Sequence, residues 1–485
     1  MISWIKSELQ RIPKWPLFLS LAITIPCFII AVPEFLKLVE FLGHRIPQKD
    51  VQADYLKGLA WAIFLGLTIL IWPVHPRDKK ALLWVWSVKC FVMLGLMLFY
   101  EYHYQTDAFA YFSVSKQSIG EWEAIFSAGP NFPVSTIIWL QNILLTTSFH
   151  AAKVSFGMIG LIAIYIFYRA AVLFLKQEKI ELLYVFTFFP SILFWSSIIG
   201  KEPLVLLFIT IYCYGAIKWI RTKSLSSAII MLLGVAIAAS IRPWLGLILA
   251  LPAFIITVPT IFRKNFKTKI IVLSMLILVA LFSTNKVMLS FGIKSSKDLP
   301  NVANQKFNGF ARGGSTTVKS FPIAASKKID TFASSASVTA ANPPIAVLKE
   351  VKAPGKSGSF GDTNKIKYSS LKDMIIFVPR GMFTALFRPL PGEVNNVFGF
   401  LAGIEGAFLL ILFGLAMKRM RWRELSDPII IWAILLIVVW AAAYGFISYN
   451  LGTVCRYRLQ ILPVFLGLLM YLSRRRDSLI MHKDK

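Results

Sequence analysis

The sequence predicts an all-α, polytopic integral membrane protein of about 12 transmembrane helices with both termini cytoplasmic. Three observations predict it. Of 485 residues, 56% are hydrophobic and 16% charged, whereas soluble domains carry roughly 45–50% apolar and about 25% charged residues. The apolar residues gather in runs that approach the ~20 residues a helix needs to cross hydrocarbon. Basic residues collect in alternate connections between those runs. A disordered chain, a collagenous chain, a disulfide-rich scaffold and a string of soluble domains are excluded.

The runs fall at about 16–36, 56–75, 81–100, 152–175, 181–199, 203–220, 226–241, 244–262, 270–290, 397–417, 428–449 and 459–473, each bounded by charges, prolines or both. The shorter ones imply tilted or broken helices. Residues 1–15 are basic and amphipathic, and no small-residue cleavage site follows, so the first run reads as a retained span behind a cytoplasmic leader. With the N-terminus inside, the cytoplasmic stretches carry 24 Lys and Arg and the short outer loops eight. That is the positive-inside pattern. The net charge of +28 is thereby explained by anionic lipid headgroups, without nucleic acid.

Three regions follow: 1–290, with spans one to nine and an outer loop at 101–151; 291–396, a long outer loop ending in an amphipathic segment at 375–396; and 397–485, with the last three spans and a basic tail. Loop 291–374 has 13 basic and five acidic residues; loops beyond about 60 residues escape the charge rule. Its middle, about 313–370, lacks periodicity and is expected to be mobile. Cys27, Cys90, Cys213 and Cys455 form no CxxC or Cys/His metal spacing.

With sidedness set, the unusual polar residues converge on the outer face. They are Asp107 with Tyr111; the turn Gly200-Lys201-Glu202-Pro203; Arg242 in a turn between two spans; Arg380 and Arg388-Pro389-Leu390-Pro391-Gly392-Glu393; and Asn450-Leu451-Gly452-Thr453-Val454-Cys455-Arg456-Tyr457-Arg458. Charges in turns this short sit at the membrane boundary, where they must pair, snorkel or line an aqueous cavity. Repeated arginine suits a diphosphate, because the guanidinium fork meets phosphate oxygens bidentately and stays charged. Lys201, Arg242, Arg388, Arg456 and Arg458 are therefore the candidate diphosphate ligands, supported by Glu202, Tyr111 and Asn450. Asp107 and Glu393 are the candidate general bases toward an attacking hydroxyl. No paired carboxylate of the DxD kind is present; no cofactor is required by the sequence, and a divalent metal stays open.

Other polar residues receive plainer readings. Lys89 and Glu405 fall within spans, and packing or snorkelling is expected of Lys89. Arg169 is expected to snorkel, Cys455 to be a structural thiol, and His44, His75 and His150 to be scattered side chains without a metal role.

On these residues the chain resembles bacterial polytopic enzymes of cell-surface polysaccharide synthesis, namely the GT-C glycosyltransferase superfamily with its family 39-like members and the Wzy-type polymerases. The resemblance lies in the span layout and in four segments: Asp107 to Tyr111, Phe194-Trp195-Ser196-Ser197 to Lys201-Glu202, Arg388-Pro389-Leu390-Pro391-x-Glu393, and Asn450-x-Gly452-Thr453-x-x-Arg456-Tyr457-Arg458 followed by Pro463. It implies a multi-pass protein of the bacterial inner membrane. Its substrates would be polyprenyl-linked saccharides, and its partners membrane lipids and other polysaccharide-assembly proteins. The GT-C likeness puts the base on Asp107; the polymerase likeness puts the diphosphate on Arg242, Arg388, Arg456 and Arg458. The expected function is polymerisation of polyprenyl-diphosphate-linked repeat units. The alternatives are single-sugar transfer from a polyprenyl-phosphate donor, a flippase of lipid-linked oligosaccharide, and a non-catalytic assembly component.

Overall fold

The computed structural model describes residues 31–104, 106–117, 131–260, 262, 266–295, 298–304, 368, 370–394, 397–446 and 451–474. Among the described residues every regular element is helical. Among the described residues eight helices are long and apolar enough to cross a membrane, or nine if the bent pair Gly452–Arg458 and Leu462–Ser473, which meet at 72°, is one span. The chain is thus a polytopic helical membrane protein. The first expected span lies mostly in residues 1–30, outside the described residues, as do 313–367 of the long loop, Asn450, and the basic tail from 475.

The helices follow in order: α1 (31–42), α2 (Val51–Thr68), α3 (Pro76–His103), α4 (Asp107–Gln117), α5 (Phe132–Leu144), α6 (Phe149–Leu175), α7 (Ile180–Phe188), α8 (Pro190–Trp195), α9 (Lys201–Thr222), α10 (Leu225–Ile241), α11 (Pro243–Thr257) and α12 (Phe266–Phe291). After the long loop come α13 (Leu371–Phe387), α14 (Val397–Arg419), α15 (Pro428–Gly445), α16 (Leu451–Arg458) and α17 (Leu462–Ser473). Their starts are set by ordinary capping chemistry. Asp50 accepts from the Ala53 N–H, Ser148 from Ala151 N–H and Ser224 from Ser227 N–H, and Pro76, Pro190 and Pro243 open helices where a missing N–H costs nothing.

Two expected spans come out differently. The run 181–199 breaks into α7 and α8, because Pro190 holds Phe189 in extended backbone and removes a helical donor. The run 226–241 forms the 17-residue α10, roughly 25 Å long at 1.5 Å per residue, shorter than a full span. Inside α3, residues Val92–Leu96 form a π-turn, a distortion frequent at functional sites.

The chain divides into two compact units, one of Met1–Thr284, Leu425–Trp432 and Leu459–Gly467, the other of Asn285–Glu424, Ala433–Arg458 and Leu468–Lys485. In the first unit α9 packs against α6 and α10. Backbones approach closely there: a Cβ on Gly215 would stand 2.4 Å from the Met231 nitrogen, and one on Gly234 would stand 2.6 Å from that of Tyr212. The Tyr212 hydroxyl donates to the Leu249 carbonyl at 2.8 Å and accepts from Trp432 Nε1–H at 2.8 Å, both within this unit.

In the second unit α13 opens with a reciprocal Ser370/Asp373 capping box. Gly381 on α13 and Gly445 on α15 meet backbone to backbone. The Asn304 amide brackets Tyr368, donating to its carbonyl and accepting from its N–H at 2.8 Å each, which joins the two sides of segment 305–367.

Replacing Gly234 with Leu should cost about 1–3 kcal/mol through overpacking and lower the thermal midpoint of the protein in detergent. Gly414→Leu, at a position with no neighbour within 4 Å, should leave that midpoint unchanged.

Candidate functional site

In the first unit several ionisable residues of the spans are paired across helices. Asp54, in the first turn of α2, accepts from the backbone N–H groups of Phe149 and His150 at 3.0 and 3.1 Å and from His150 Nδ1–H at 2.6 Å. A carboxylate at a helix N-terminus meets the exposed donors and the positive end of the helix dipole, so Asp54 fastens α2 to the start of α6. One turn on, Lys153 Nζ donates to Glu101 Oε2 at 2.6 Å, joining α6 to the last turn of α3. The start of α2, the end of α3 and the start of α6 therefore share one end of the bundle. At the opposite end Asp78, in the first turn of α3, accepts from the Tyr165 hydroxyl at 2.9 Å and lies 3.7 Å from Arg169. Arg169 does not merely snorkel: it also donates to Glu178 at 3.1 Å.

Lys89 behaves unlike a snorkelling residue. It is fully buried near the middle of the 28-residue α3, about 20 Å from either end at 1.5 Å per residue. Its ammonium donates to the Ser196 carbonyl at 3.2 Å and to the Ser196 and Ser197 hydroxyls at 2.7 and 2.8 Å. These oxygens lie in the turn after the broken pair α7–α8. The turn reaches α6 because Gly160 offers no side chain; a Cβ there would stand 2.1 Å from the Ser196 oxygen.

The residues singled out in the sequence are placed as follows. Arg242 and Glu202 form a buried pair at 2.8 Å, with side chains 7% and 2% exposed. Lys201, beside Glu202, is half-buried at the start of α9. Asp107 is exposed in the first turn of α4, and Tyr111, one turn later, is buried. In the second unit Arg388 Nε donates to Glu393 Oε1 at 2.8 Å, while Glu393 Oε2 accepts from the Leu390 N–H at 2.7 Å. That carboxylate braces the turn after α13. Arg458 is fully buried: it donates to the Leu386 carbonyl at 2.8 Å and to Cys455 Sγ at 3.5 Å, and stands 3.7 Å from Glu405. It caps the C-terminal end of α13 and gives Cys455 a structural partner. Arg456 is half-buried on α16, and Asn450 lies outside the described residues.

Within each unit, then, the structure joins Arg242 to Glu202, Arg388 to Glu393, and Arg458 to Glu405. Sequence reasoning passed over Asp54, Glu101 and Lys153 and read His150 as incidental. The available signal was an acid or base inside or at the rim of an apolar run, which in a membrane always needs a partner. Among the described residues, no group of three or more His, Cys, Asp or Glu is arranged to hold a metal ion. No protein-family model, curated protein or solved structure matches the chain.

Removing one member of the Glu202–Arg242 pair strands a buried charge. Glu202→Leu or Arg242→Leu alone should cost about 3–5 kcal/mol, and the double Leu variant should recover most of that. Thermal unfolding of the four proteins in one detergent checks the cycle.

Proposed function

We propose that the protein is a membrane glycosyltransferase of cell-surface polysaccharide synthesis that polymerises polyprenyl-diphosphate-linked repeat units at the outer face of the bacterial inner membrane. The observation that supports the reading is the difference in exposure among the charged groups. Asp54, Glu101 and Glu202 are buried and engaged by the fold, and Arg242 and Arg458 are buried as well. In the first unit Asp107 is exposed and Lys201 half-buried; in the second Arg456 is half-buried, as are Arg388 and its partner Glu393. An exposed carboxylate suits the hydroxyls of an acceptor saccharide. Accessible cations suit the diphosphate of the donor, whose leaving charge they stabilise in the transition state. The positive-inside count supports the outer face for these groups.

A flippase of lipid-linked oligosaccharide is the second reading, favoured by one observation. Lys89 sits mid-span against the turn of a broken helix, where transporters place substrate and ion sites.

Purified protein in nanodiscs, given polyprenyl-diphosphate repeat units, should yield a product ladder on a gel. Asp107→Asn should reduce turnover, and Arg456→Ala should raise the KM for the lipid donor. One added sugar from a polyprenyl-phosphate donor would make the protein a single-sugar transferase. Lipid translocation in vesicles without covalent product would make it a flippase.

A further inference from the structure

The Asp54–His150 pair has the geometry of a general base, and the reading above leaves it unused. With Nδ1–H donated to Asp54 at 2.6 Å, the lone pair of the imidazole lies on Nε2. That atom is buried and has no hydrogen-bond partner among the described residues. A carboxylate that fixes the tautomer and ring orientation of a histidine, leaving the second nitrogen open, is the arrangement by which base and orienting acid act together.

The pair is rigidly held. Asp54 accepts two backbone N–H groups of α6 as well as the ring, and a Cβ on Gly58 would stand 2.4 Å from His150 Cβ. The charged and titratable groups around the ring are Asp54 and Tyr55 on α2, Lys153 on α6 itself, and Glu101 on α3, which Lys153 engages. Above them lies α4, the helix that begins at Asp107. Its Phe109 and Phe112 rings pack on Phe149, the neighbour of His150, at 5.6 and 5.5 Å. Its Lys116 donates to Gln48 at 3.2 Å, and Gln48 in turn donates to Asp54 at 3.3 Å. The helix bearing the proposed acceptor-binding carboxylate is thus tied to the dyad through rings and one exposed hydrogen bond.

We propose that His150, oriented by Asp54, is the proton acceptor of the glycosyl transfer. The inference rests on the transferase reading. As the acceptor hydroxyl oxygen bonds to the anomeric carbon of the donor, its proton passes to His150 Nε2. The bond between that carbon and the diphosphate oxygen breaks, and its electron pair leaves with the diphosphate. Asp107 then holds a neighbouring hydroxyl of the acceptor, and α4 must shift to let the sugar reach the buried nitrogen.

The test uses full-length protein in nanodiscs with polyprenyl-diphosphate repeat units. His150→Ala should lower kcat by roughly 10²–10⁴-fold, the range for loss of a general base, with KM changed little, and added imidazole should restore part of the rate. His44→Ala, at an exposed histidine, should leave the rate unchanged. Diethyl pyrocarbonate requires no mutation: loss of wild-type activity should track carbethoxylation of His150 by mass spectrometry, and acceptor saccharide should slow it. An active wild type whose His150→Ala variant keeps its rate, or whose activity is lost while His150 stays unmodified, overturns the role of His150 alone. A loss of rate that imidazole does not restore, with His150 unreactive in the wild type, reduces the dyad to an anchor of α6. A wild type that forms no product overturns the transferase reading and the role of His150 with it.

Discussion

A buried ionisable side chain has no water to turn to, and the architecture of the first unit depends on how Asp54 meets that constraint. Its carboxylate takes up two orphan N–H groups of α6 and the His150 ring at once, so an acid that would be costly alone becomes the clamp between two spans. The Glu101–Lys153 pair repeats the device one turn further on, and Asp78 with Tyr165 repeats it at the other end of α3 and α6. The depth and register of these helices follow from where the charges can be satisfied. Apolar contacts between them are plentiful, but they are no better than contacts with lipid tails.

The same constraint sorts the charged residues by use. A carboxylate and a guanidinium pair in the interior, as Glu202 and Arg242 do. Asp107 and Lys201 in the first unit, and Arg388, Glu393 and Arg456 in the second, keep some exposure. Lys89 is a separate case: its ammonium is met by three uncharged oxygens from a turn that exists because Pro190 breaks a helix. The broken helix supplies free oxygens at mid-span, and the lysine supplies the donors that make the break tolerable.

Much of the helical layout was legible in the sequence, because hydrocarbon demands long apolar runs and caps and prolines mark their ends. The runs at 152–175 and 397–417 became α6 and α14 with ends shifted by a few residues. The run at 181–199 looked continuous in hydropathy, yet a single proline divides it. The candidate site was legible only in part. By residue type alone Arg458 reads as a diphosphate ligand and Glu393 as a general base; the contacts they make around α13, to the Leu386 carbonyl and the Leu390 N–H, had no signal in the sequence. Asp54 and His150 lie almost a hundred residues apart in sequence, and no local pattern announces their meeting.

By itself the sequence determined the class of the protein, an all-helical polytopic membrane chain, because composition and run length act residue by residue and need no knowledge of neighbours. The tertiary structure alone decided which charges are buried against a partner. That choice depends on pairings across helices, His150 with Asp54, Lys153 with Glu101 and Arg242 with Glu202, which bring together residues far apart in the sequence.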